Sequence, residues 1–316
     1  CHLHWWQQRD RVHPLMRRML TLRDSALATA TVVSVALLSA CTIGDVSSHD
    51  SAEDSSALGP STPQPTLPET SSAPDTMEDV PVIEAASPQE ALDAIAAENP
   101  GTGIAVAGAD EVFAAGITAP VAAWSTSKVP LAIAAERAGV SDSGAVSRAI
   151  TYSDNAAADS LWSALGGGEK AAQATQDVIG TVTVPAIPPR EGFSSFGQTQ
   201  WSVAQQAEFV AALGCMDGAE AVLAAMGQSD PAQNYGLGGV EGAVKKGGWG
   251  PATDGSYEAR QMGLITLGGH TVAVAIYAEA ESGQYGDAQQ MLTRLVSQLE
   301  SADVEWPAAG CQQGAV

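Results

Sequence analysis

The chain has 316 residues, of which 45% are hydrophobic, 5% aromatic and 16% charged. This length allows one large domain or two small ones and excludes a peptide or a minimal disulfide scaffold. The 14 Lys and Arg residues are outnumbered by 36 Asp and Glu residues, and the net charge of −22 leaves no general basic surface for nucleic acid. We therefore expect no nucleic-acid partner.

The first 40 residues are typical of a targeting segment. Residues 1–15 show no apolar periodicity, and we interpret them as sequence translated upstream of a start at Met16 or Met19. A basic region then precedes an uncharged apolar run at 26–40, which is the pattern of a secretory signal and is short for a membrane-spanning helix. Small residues directly before Cys41 resemble a bacterial lipobox, which implies a lipid anchor at Cys41; a plain secretory signal is the alternative.

Residues 41–80 have the composition of a spacer. They consist mainly of Ser, Thr, Pro, Asp and Glu, and such a segment cannot bury enough apolar surface to fold. We interpret them as a flexible tether that holds a domain away from a membrane surface. The chain thus divides into a removable leader at 1–40, a spacer at 41–80 and a folded domain at 81–316.

Apolar periodicity in the domain predicts an ordered series of elements. A helix at 88–98, capped by Ser87, precedes a hairpin of strands at 103–108 and 111–116. The middle of the domain is predicted to be helical at 126–139, 145–150, 156–165, 169–179, 201–213 and 219–226, with an irregular Pro-rich stretch at 184–200. The last elements are strands at 243–249, 259–267 and 270–280 and a helix at 286–300.

This order of elements excludes a repeating βαβ chain, because the strands occur at both ends of the domain and the helices lie between them. We predict an α+β sandwich. Its antiparallel sheet takes strands from both ends of the chain, the terminal helices cover the sheet, and the central helices form a separate lobe.

The cysteines and histidines of the domain restrict its chemistry. Cys215 and Cys311 can pair only with each other, and outside the membrane a disulfide between them is favoured. His270 is the only histidine of the domain, and it falls in a predicted hairpin turn. We therefore expect neither a metal site nor a Ser-His-Asp triad, and no cofactor.

A first motif, S-x-x-K at residues 125–128, lies where a helix begins. Ser125 and Lys128 are one helical turn apart and therefore on one face. A lysine whose pKa is lowered by burial can deprotonate a serine, and the N–H groups at a helix start can stabilise an oxyanion. The alternative is a helix cap followed by a solvated lysine.

Two further motifs follow in the chain. Ser153-Asp154-Asn155 lies between helical segments, and Lys246-Gly247-Gly248 lies on a strand ahead of Trp249. The glycines would let another part of the backbone lie close to that strand. Taken alone, the motifs could also be a capping turn and an exposed strand end.

In this order the three motifs resemble those of the penicillin-recognising serine enzymes, the class A β-lactamases and penicillin-binding proteins. The resemblance covers about residues 85–305 and implies roles for single residues. Ser125 would be the acylated nucleophile and Lys128 its partner in proton transfer. Ser153 would relay a proton to the leaving group, and Lys246 would supply positive charge near Ser153 and the substrate carboxylate.

The resemblance also implies substrate-binding roles. Asn155 would hold the substrate amide, Gly248 would let the strand lie close, and the N–H of Trp249 would complete an oxyanion hole with that of Ser125. Arg260 would be a second carboxylate anchor, or a solvated strand arginine. For deacylation, the loop before residue 201 offers the single carboxylate Glu191, whose alternative role is that of a surface residue.

The sequence therefore predicts an extracytoplasmic lipoprotein similar to compact β-lactamase-related lipoproteins of actinobacteria. Its domain would be a serine hydrolase or acyltransferase that acts on an amide, ester or β-lactam. The substrate would be a small molecule or peptide that bears a carboxylate. A penicillin-binding-like protein with little turnover and a non-catalytic cell-envelope binding lipoprotein are the alternatives.

Overall fold

A five-stranded antiparallel sheet lies at the centre of the domain. The computed structural model describes residue 85 and residues 87–180 and 182–311, so the leader, Cys41 and the spacer lie outside the described residues. The strands are β1 Thr102–Ala107, β2 Val112–Gly116, β3 Val121–Ala122, β4 Gln200–Trp201, β5 Val244–Pro251, β6 Tyr257–Leu267 and β7 His270–Ala280. The large sheet has the order β2-β1-β7-β6-β5, so strands from both ends of the domain lie side by side.

The helices form two groups around this sheet. They are α1 Pro88–Glu98, α2 Lys128–Arg137, α3 Ser143–Thr151, α4 Asn155–Ala164, α5 Gly168–Ile179, α6 Val203–Ala211, α7 Glu220–Met226 and α8 Tyr285–Ser301. α1 and α8 pack on the sheet, as does α6, whereas α2, α3, α4, α5 and α7 contact one another in a helical lobe. Within the described part of the chain, no helix is both long and apolar enough to cross a membrane.

β7 shows why the sheet is buried on both faces. Successive side chains of a strand point to opposite faces. Val272, Val274 and Ile276 therefore join the apolar cluster that includes residues of α1 and α8. Ala273 and Ala275 alternate with them and join the cluster that includes residues of α6 and the helical lobe.

The predicted α+β sandwich is confirmed, with its sheet built from both ends of the domain. The first helix spans the predicted residues, and Ser87 caps it by accepting a hydrogen bond from the N–H of Glu90 at 3.3 Å. The helix predicted from residue 126 starts instead at Lys128, after a 3-10 turn at Trp124–Ser127.

The helix predicted from residue 201 is also displaced, because the sequence pattern does not reveal the small sheet formed by β3 and β4. Trp201 pairs with Val121 in that sheet, and α6 begins two residues later. Ser202 and Gln205 form a capping box at this start, in which each side chain satisfies a backbone N–H of the first turn.

The predicted disulfide is confirmed. Cys215 and Cys311 are bonded, with their Cα atoms 5.8 Å apart and a sequence separation of 96. The bond joins the 3-10 turn that follows α6 to the end of the described chain. It therefore ties the carboxyl-terminal segment to the middle of the domain.

Candidate active site

The 3-10 turn at Trp124–Ser127 leaves one of its three hydroxyl groups free. Thr126 Oγ1 donates to the carbonyl of Ala123 at 2.5 Å, and Ser127 Oγ donates to that of Trp124 at 2.7 Å. Among the described residues, the Ser125 hydroxyl has no hydrogen-bond partner, and Ser125 lines a cleft of about 500 Å³. The turn thus buries the neighbouring hydroxyls and presents Ser125 to the cleft.

Lys128 is the first residue of α2 and lies one turn beyond Ser125. Its side chain is only 1% exposed, yet it lines the same cleft. Its Nζ donates to Asn155 Oδ1 at 2.7 Å and to the Ser153 carbonyl, and lies 3.4 Å from Ser153 Oγ. Burial lowers the pKa of Lys128 to about 8, although Asp154 and Asp159 act in the opposite direction. The amine can therefore be neutral near physiological pH.

The segment Ser153-Asp154-Asn155 both caps a helix and contacts Lys128. Asp154 Oδ1 accepts from the N–H of Ala157 at 3.2 Å and so begins α4. The cap holds Asn155 at the first position of the helix, where its oxygen meets Lys128. The capping interpretation and the functional one are therefore compatible, because different residues of the motif perform the two tasks.

Lys246 on β5 completes a network around Ser153. Its Nζ donates to Ser153 Oγ at 2.9 Å and to the carbonyl of Gly247 at 2.9 Å. Complete burial, together with the positive charges of Lys128 and Lys245, lowers the pKa of Lys246 well below its ordinary value. The expected positive charge at Lys246 is thus disfavoured.

Backbone strain within the described chain is concentrated at this site. Trp124 and Ser153, with φ of 50° and 58°, are the non-glycine residues described that adopt positive φ. Left-handed backbone is costly for such residues and persists where surrounding contacts enforce it, often at functional sites. One strained residue directly precedes Ser125, and the other is the Ser153 that binds both lysines.

Gly248 allows β5 to lie against the turn that holds Ser125. A Cβ atom at this position would lie 2.7 Å from the backbone N of Ser125 and 2.8 Å from the Cβ of Trp124. These distances are too short for a side chain, so only glycine permits the approach. The backbone of β5 at Gly248 is thereby brought beside the backbone N of Ser125, and Trp249, the next residue of the strand, lines the cleft.

The structure thus brings the three predicted motifs together. Four of the predicted residues line the cleft, namely Ser125, Lys128, Asn155 and Trp249. Ser153 and Lys246 do not line it but contact it through Lys128. Within residues 87–180 and 182–311, no group of three or more His, Cys, Asp or Glu side chains is placed to hold a metal ion.

Solved structures similar to this domain are β-lactamases. One from Chitinophaga pinensis is 15% identical, with a TM-score of 0.55 over 66% of this chain and 96% of that chain. The TLA-3 extended-spectrum β-lactamase is 14% identical, with a TM-score of 0.54 over 66% and 98%. A class A β-lactamase from Mycobacterium abscessus is 14% identical, with a TM-score of 0.52 over 67% and 97%.

The domain has a β-lactamase-like fold. At identities of 14–15%, these similarities establish the fold alone. No protein-family model matches the chain, and none of the curated proteins matches it significantly.

In this β-lactamase-like domain, Arg260 is a structural residue and not a carboxylate anchor in the cleft. It is 0% exposed, and its guanidinium donates five hydrogen bonds at 2.7–3.2 Å. The acceptors are Gln206 Oε1, which takes two, and the carbonyls of Val121, Ala122 and Trp201. Since a guanidinium has five N–H groups, none remains for a substrate. Both predicted alternatives, an anchor and a solvated arginine, are therefore wrong.

Glu191 lies outside the cleft of the β-lactamase-like domain. Its side chain is exposed, and it is not among the residues that line the cavity. The neighbouring Arg190 instead turns inward, stacks on Phe193 at 4.3 Å and donates to the Pro251 carbonyl at 3.0 Å. The structure thus places Glu191 as the surface residue of the alternative interpretation and does not support a role in deacylation.

Two cleft residues of the β-lactamase-like domain escaped the sequence analysis. Asp159 lies on α4 four residues after Asn155, and this helical spacing could have placed both on one face. Gln198 is 4% exposed, and its Nε2 has no hydrogen-bond partner among the described residues. Nothing in the irregular stretch at 184–200 indicates that Gln198 reaches the cleft.

Proposed function

We propose that the domain is a serine hydrolase or acyltransferase in which Ser125 is acylated by an amide, ester or β-lactam. The observation that supports this most strongly is the presence, in one cleft, of a Ser125 hydroxyl without a hydrogen-bond partner and of a buried Lys128, whose pKa is lowered to about 8. Both residues line one cleft, and a lysine with a lowered pKa is a suitable general base for a serine. The likeness to β-lactamases of known structure supports the same class of enzyme.

The proposed acylation step uses the hydrogen-bond network of Lys128, Ser153 and Lys246. Neutral Lys128 takes the proton from Ser125 Oγ as this oxygen attacks the carbonyl carbon of the substrate. The negative charge that develops on the carbonyl oxygen is held by the N–H groups of Ser125 and Trp249. The bond to the leaving nitrogen or oxygen then breaks, and that atom receives a proton from Ser153. Ser153 in turn recovers a proton from Lys128, which carries the one taken from Ser125, while Lys246 keeps its hydrogen bond to Ser153 Oγ.

The proposal retains a small-molecule or peptide substrate that bears a carboxylate. Arg260 has no donor left to bind this group. Recognition of a carboxylate would therefore fall to backbone N–H groups along β5, which is an edge strand of the sheet. Asn155, which lines the cleft beside Lys128, would hold the substrate amide.

The mass of the protein after incubation with a penicillin or a fluorophosphonate tests this function. We expect one covalent adduct, located at Ser125 by peptide mapping, because this hydroxyl alone of its turn is free. Ser125→Ala should lose the adduct, whereas Ser127→Ala should keep it. A folded wild-type domain that gains no mass from either reagent would instead support a non-catalytic binding protein. Persistence of the penicillin adduct would favour the penicillin-binding-like alternative.

We further propose that the protein is an extracytoplasmic lipoprotein, tethered to the cell membrane through Cys41 and the spacer at 41–80. The support is the apolar run at 26–40 that ends in small residues before this cysteine. In an expressing bacterium, the wild-type protein should incorporate labelled palmitate and partition into detergent. Cys41→Ser should abolish both, and equal incorporation in the two proteins would refute the anchor.

A further inference from the structure

The side chain of Trp124, the residue directly before Ser125, lies against strand β5. Its backbone has a φ of 50°, a left-handed conformation that a bulky residue keeps only where its surroundings enforce it. A Cβ atom on Gly250 would lie 2.3 Å from two carbons of the indole ring, and one on Gly248 would lie 2.8 Å from the Cβ of Trp124. The two glycines of β5 therefore leave the space that the Trp124 side chain occupies.

Glu258 on β6 binds the far end of this side chain. It pairs with Gly250 in the sheet, and its Oε2 accepts a hydrogen bond from Trp124 Nε1 at 2.6 Å. Burial raises the pKa of the Glu258 carboxyl group, whereas the hydrogen bond from Trp124 and the charge of Arg260 act in the opposite direction. An ionised carboxylate accepts stronger hydrogen bonds than a neutral oxygen does. The indole is thus anchored by a polar contact in addition to its packing.

The same face of β6 also binds the chain just before Trp124. Side chains two residues apart on a strand point to one face, so Glu258 and Arg260 share a face of β6. Arg260 donates to the carbonyls of Val121 and Ala122 at 3.2 and 2.9 Å. One strand therefore binds both the backbone that leads into the 3-10 turn and the first side chain of that turn.

The remaining neighbours of the indole supply no hydrogen bond. The ring of Phe193 meets it edge-on at 5.5 Å, and the Arg190 guanidinium lies 5.8 Å from its centre. These contacts leave Trp124 only 6% exposed. Among the described residues, Glu258 is the acceptor that fixes the direction of the indole N–H.

We propose that Glu258 is a positioning residue, which holds Ser125 in its reactive place through Trp124. The proposal rests on the proposed acylation of Ser125. Glu258 does not line the cleft and takes no part in making or breaking bonds. Its hydrogen bond keeps Trp124 in the left-handed conformation, and this conformation sets the direction of the hydroxyl and the N–H of the next residue. When the bond is lost, the turn can relax, and Ser125 Oγ moves relative to the carbonyl carbon of the substrate.

Two variants remove this hydrogen bond from its opposite ends. Trp124→Phe keeps an aromatic ring but has no N–H, and Glu258→Leu keeps a side chain of similar size but has no acceptor. We expect each to lower the limiting rate of acylation by a chromogenic β-lactam by roughly 10- to 100-fold, because misplacing a reacting group by about 1 Å can cost on the order of 100-fold. Stopped-flow measurement over a range of β-lactam concentrations gives this rate and the apparent dissociation constant separately. Glu258→Leu should leave the dissociation constant unchanged, since Glu258 does not line the cleft.

The double variant tests whether the two residues act through one bond. Trp124→Phe/Glu258→Leu should acylate no more slowly than the slower single variant, since the bond can be lost only once. Glu258→Gln keeps an acceptor oxygen and should recover most of the rate. Glu279→Leu is the matched control, because Glu279 pairs with Glu258 in the sheet, is also half-buried and does not line the cleft. It should acylate at the wild-type rate.

The possible outcomes distinguish this inference from the proposed function. If the wild-type protein is not acylated, the proposed function fails and the role of Glu258 fails with it. If the wild type is acylated and both single variants react at its limiting rate, only the role of Glu258 is overturned. A variant that loses burst amplitude but keeps that rate would show that the bond stabilises the fold without positioning Ser125. Effects that multiply in the double variant would show two independent contributions, and this also overturns the inference. If Glu258→Leu does not fold, the limiting rate of Trp124→Phe decides by the same criteria.

Discussion

Lys128→Met is expected to slow the acylation of Ser125 by about a thousandfold, within the range that general acid–base groups contribute. Methionine has a similar length and fills the same buried space, but it cannot accept a proton from Ser125. It also cannot donate to Asn155 and Ser153, which lie in hydrogen-bonding contact with the amine. Stopped-flow acylation by a chromogenic β-lactam or ester measures the effect.

The pH dependence of the reaction identifies the amine as the base. Lys128 acts as a base only when neutral, and burial lowers its pKa to about 8. The wild-type acylation rate should therefore rise about tenfold per pH unit at low pH and level off above about 8, since the neutral fraction follows the titration. Lys128→Met should lose this rise.

A matched control separates this effect from a general loss of charge. Lys170 on α5 is exposed, so Lys170→Met removes one positive charge without touching the cleft. It should leave both the rate and the pH profile unchanged. Acylation of a folded Lys128→Met protein at the wild-type rate and with the wild-type profile would contradict the assignment of Lys128 as the base.

Arg260→Met is expected to lower the free energy of unfolding by about 3–5 kcal/mol, because it leaves several buried acceptors without donors. The guanidinium joins three segments that are distant in sequence. It donates to Val121 and Ala122 on β3, to Trp201 on β4 and to Gln206 on α6. Removing the buried charge recovers part of the cost of its desolvation, which is visible as a pKa lowered to about 10. Leaving four buried oxygens without hydrogen-bond donors costs more free energy than the removal of this charge recovers.

Urea unfolding measures this loss, with Arg190→Met as the control. Arg190 is half-buried, stacks on Phe193 and donates one hydrogen bond, to the Pro251 carbonyl. Its replacement should cost about 1–2 kcal/mol, since a single hydrogen bond and two cation–π contacts, with Phe193 and Trp124, are lost. Equal losses for the two variants would contradict the structural role of Arg260. Arg260→Lys should also destabilise the domain, because three donors on a flexible stem cannot replace a rigid fork of five.

The secondary structure was largely predictable because it depends on short-range patterns. The strand at 270–280 and the cap at Ser87 are visible within a few residues, and both were confirmed. The small sheet of Val121–Ala122 and Gln200–Trp201 was not predicted. Each of its strands has two residues, and the partners lie far apart in sequence, so no local period marks them.

The candidate site was predictable for a similar reason, but only in part. Ser125 and Lys128 share a helical turn, and their spacing of three residues predicts that both face one side. Asp159 follows the same rule relative to Asn155 and could have been found. Glu191 was considered for deacylation because it is the single carboxylate of its loop, but it is exposed and does not line the cleft. The position of a loop residue depends on what the loop packs against, which the sequence does not show.

The amino-acid sequence was sufficient to predict the order of elements and to identify the three motifs, and it is the sole basis for the proposed leader and spacer. Whether those motifs meet depended on the fold. Lys128 and Lys246 both reach Ser153, from positions 25 and 93 residues away, and Arg260 is withdrawn from the cleft by acceptors on β3, β4 and α6. Periodicity reports neighbours within one or two turns of the chain, whereas burial, hydrogen-bond partners and pKa values are set by segments that only folding brings into contact.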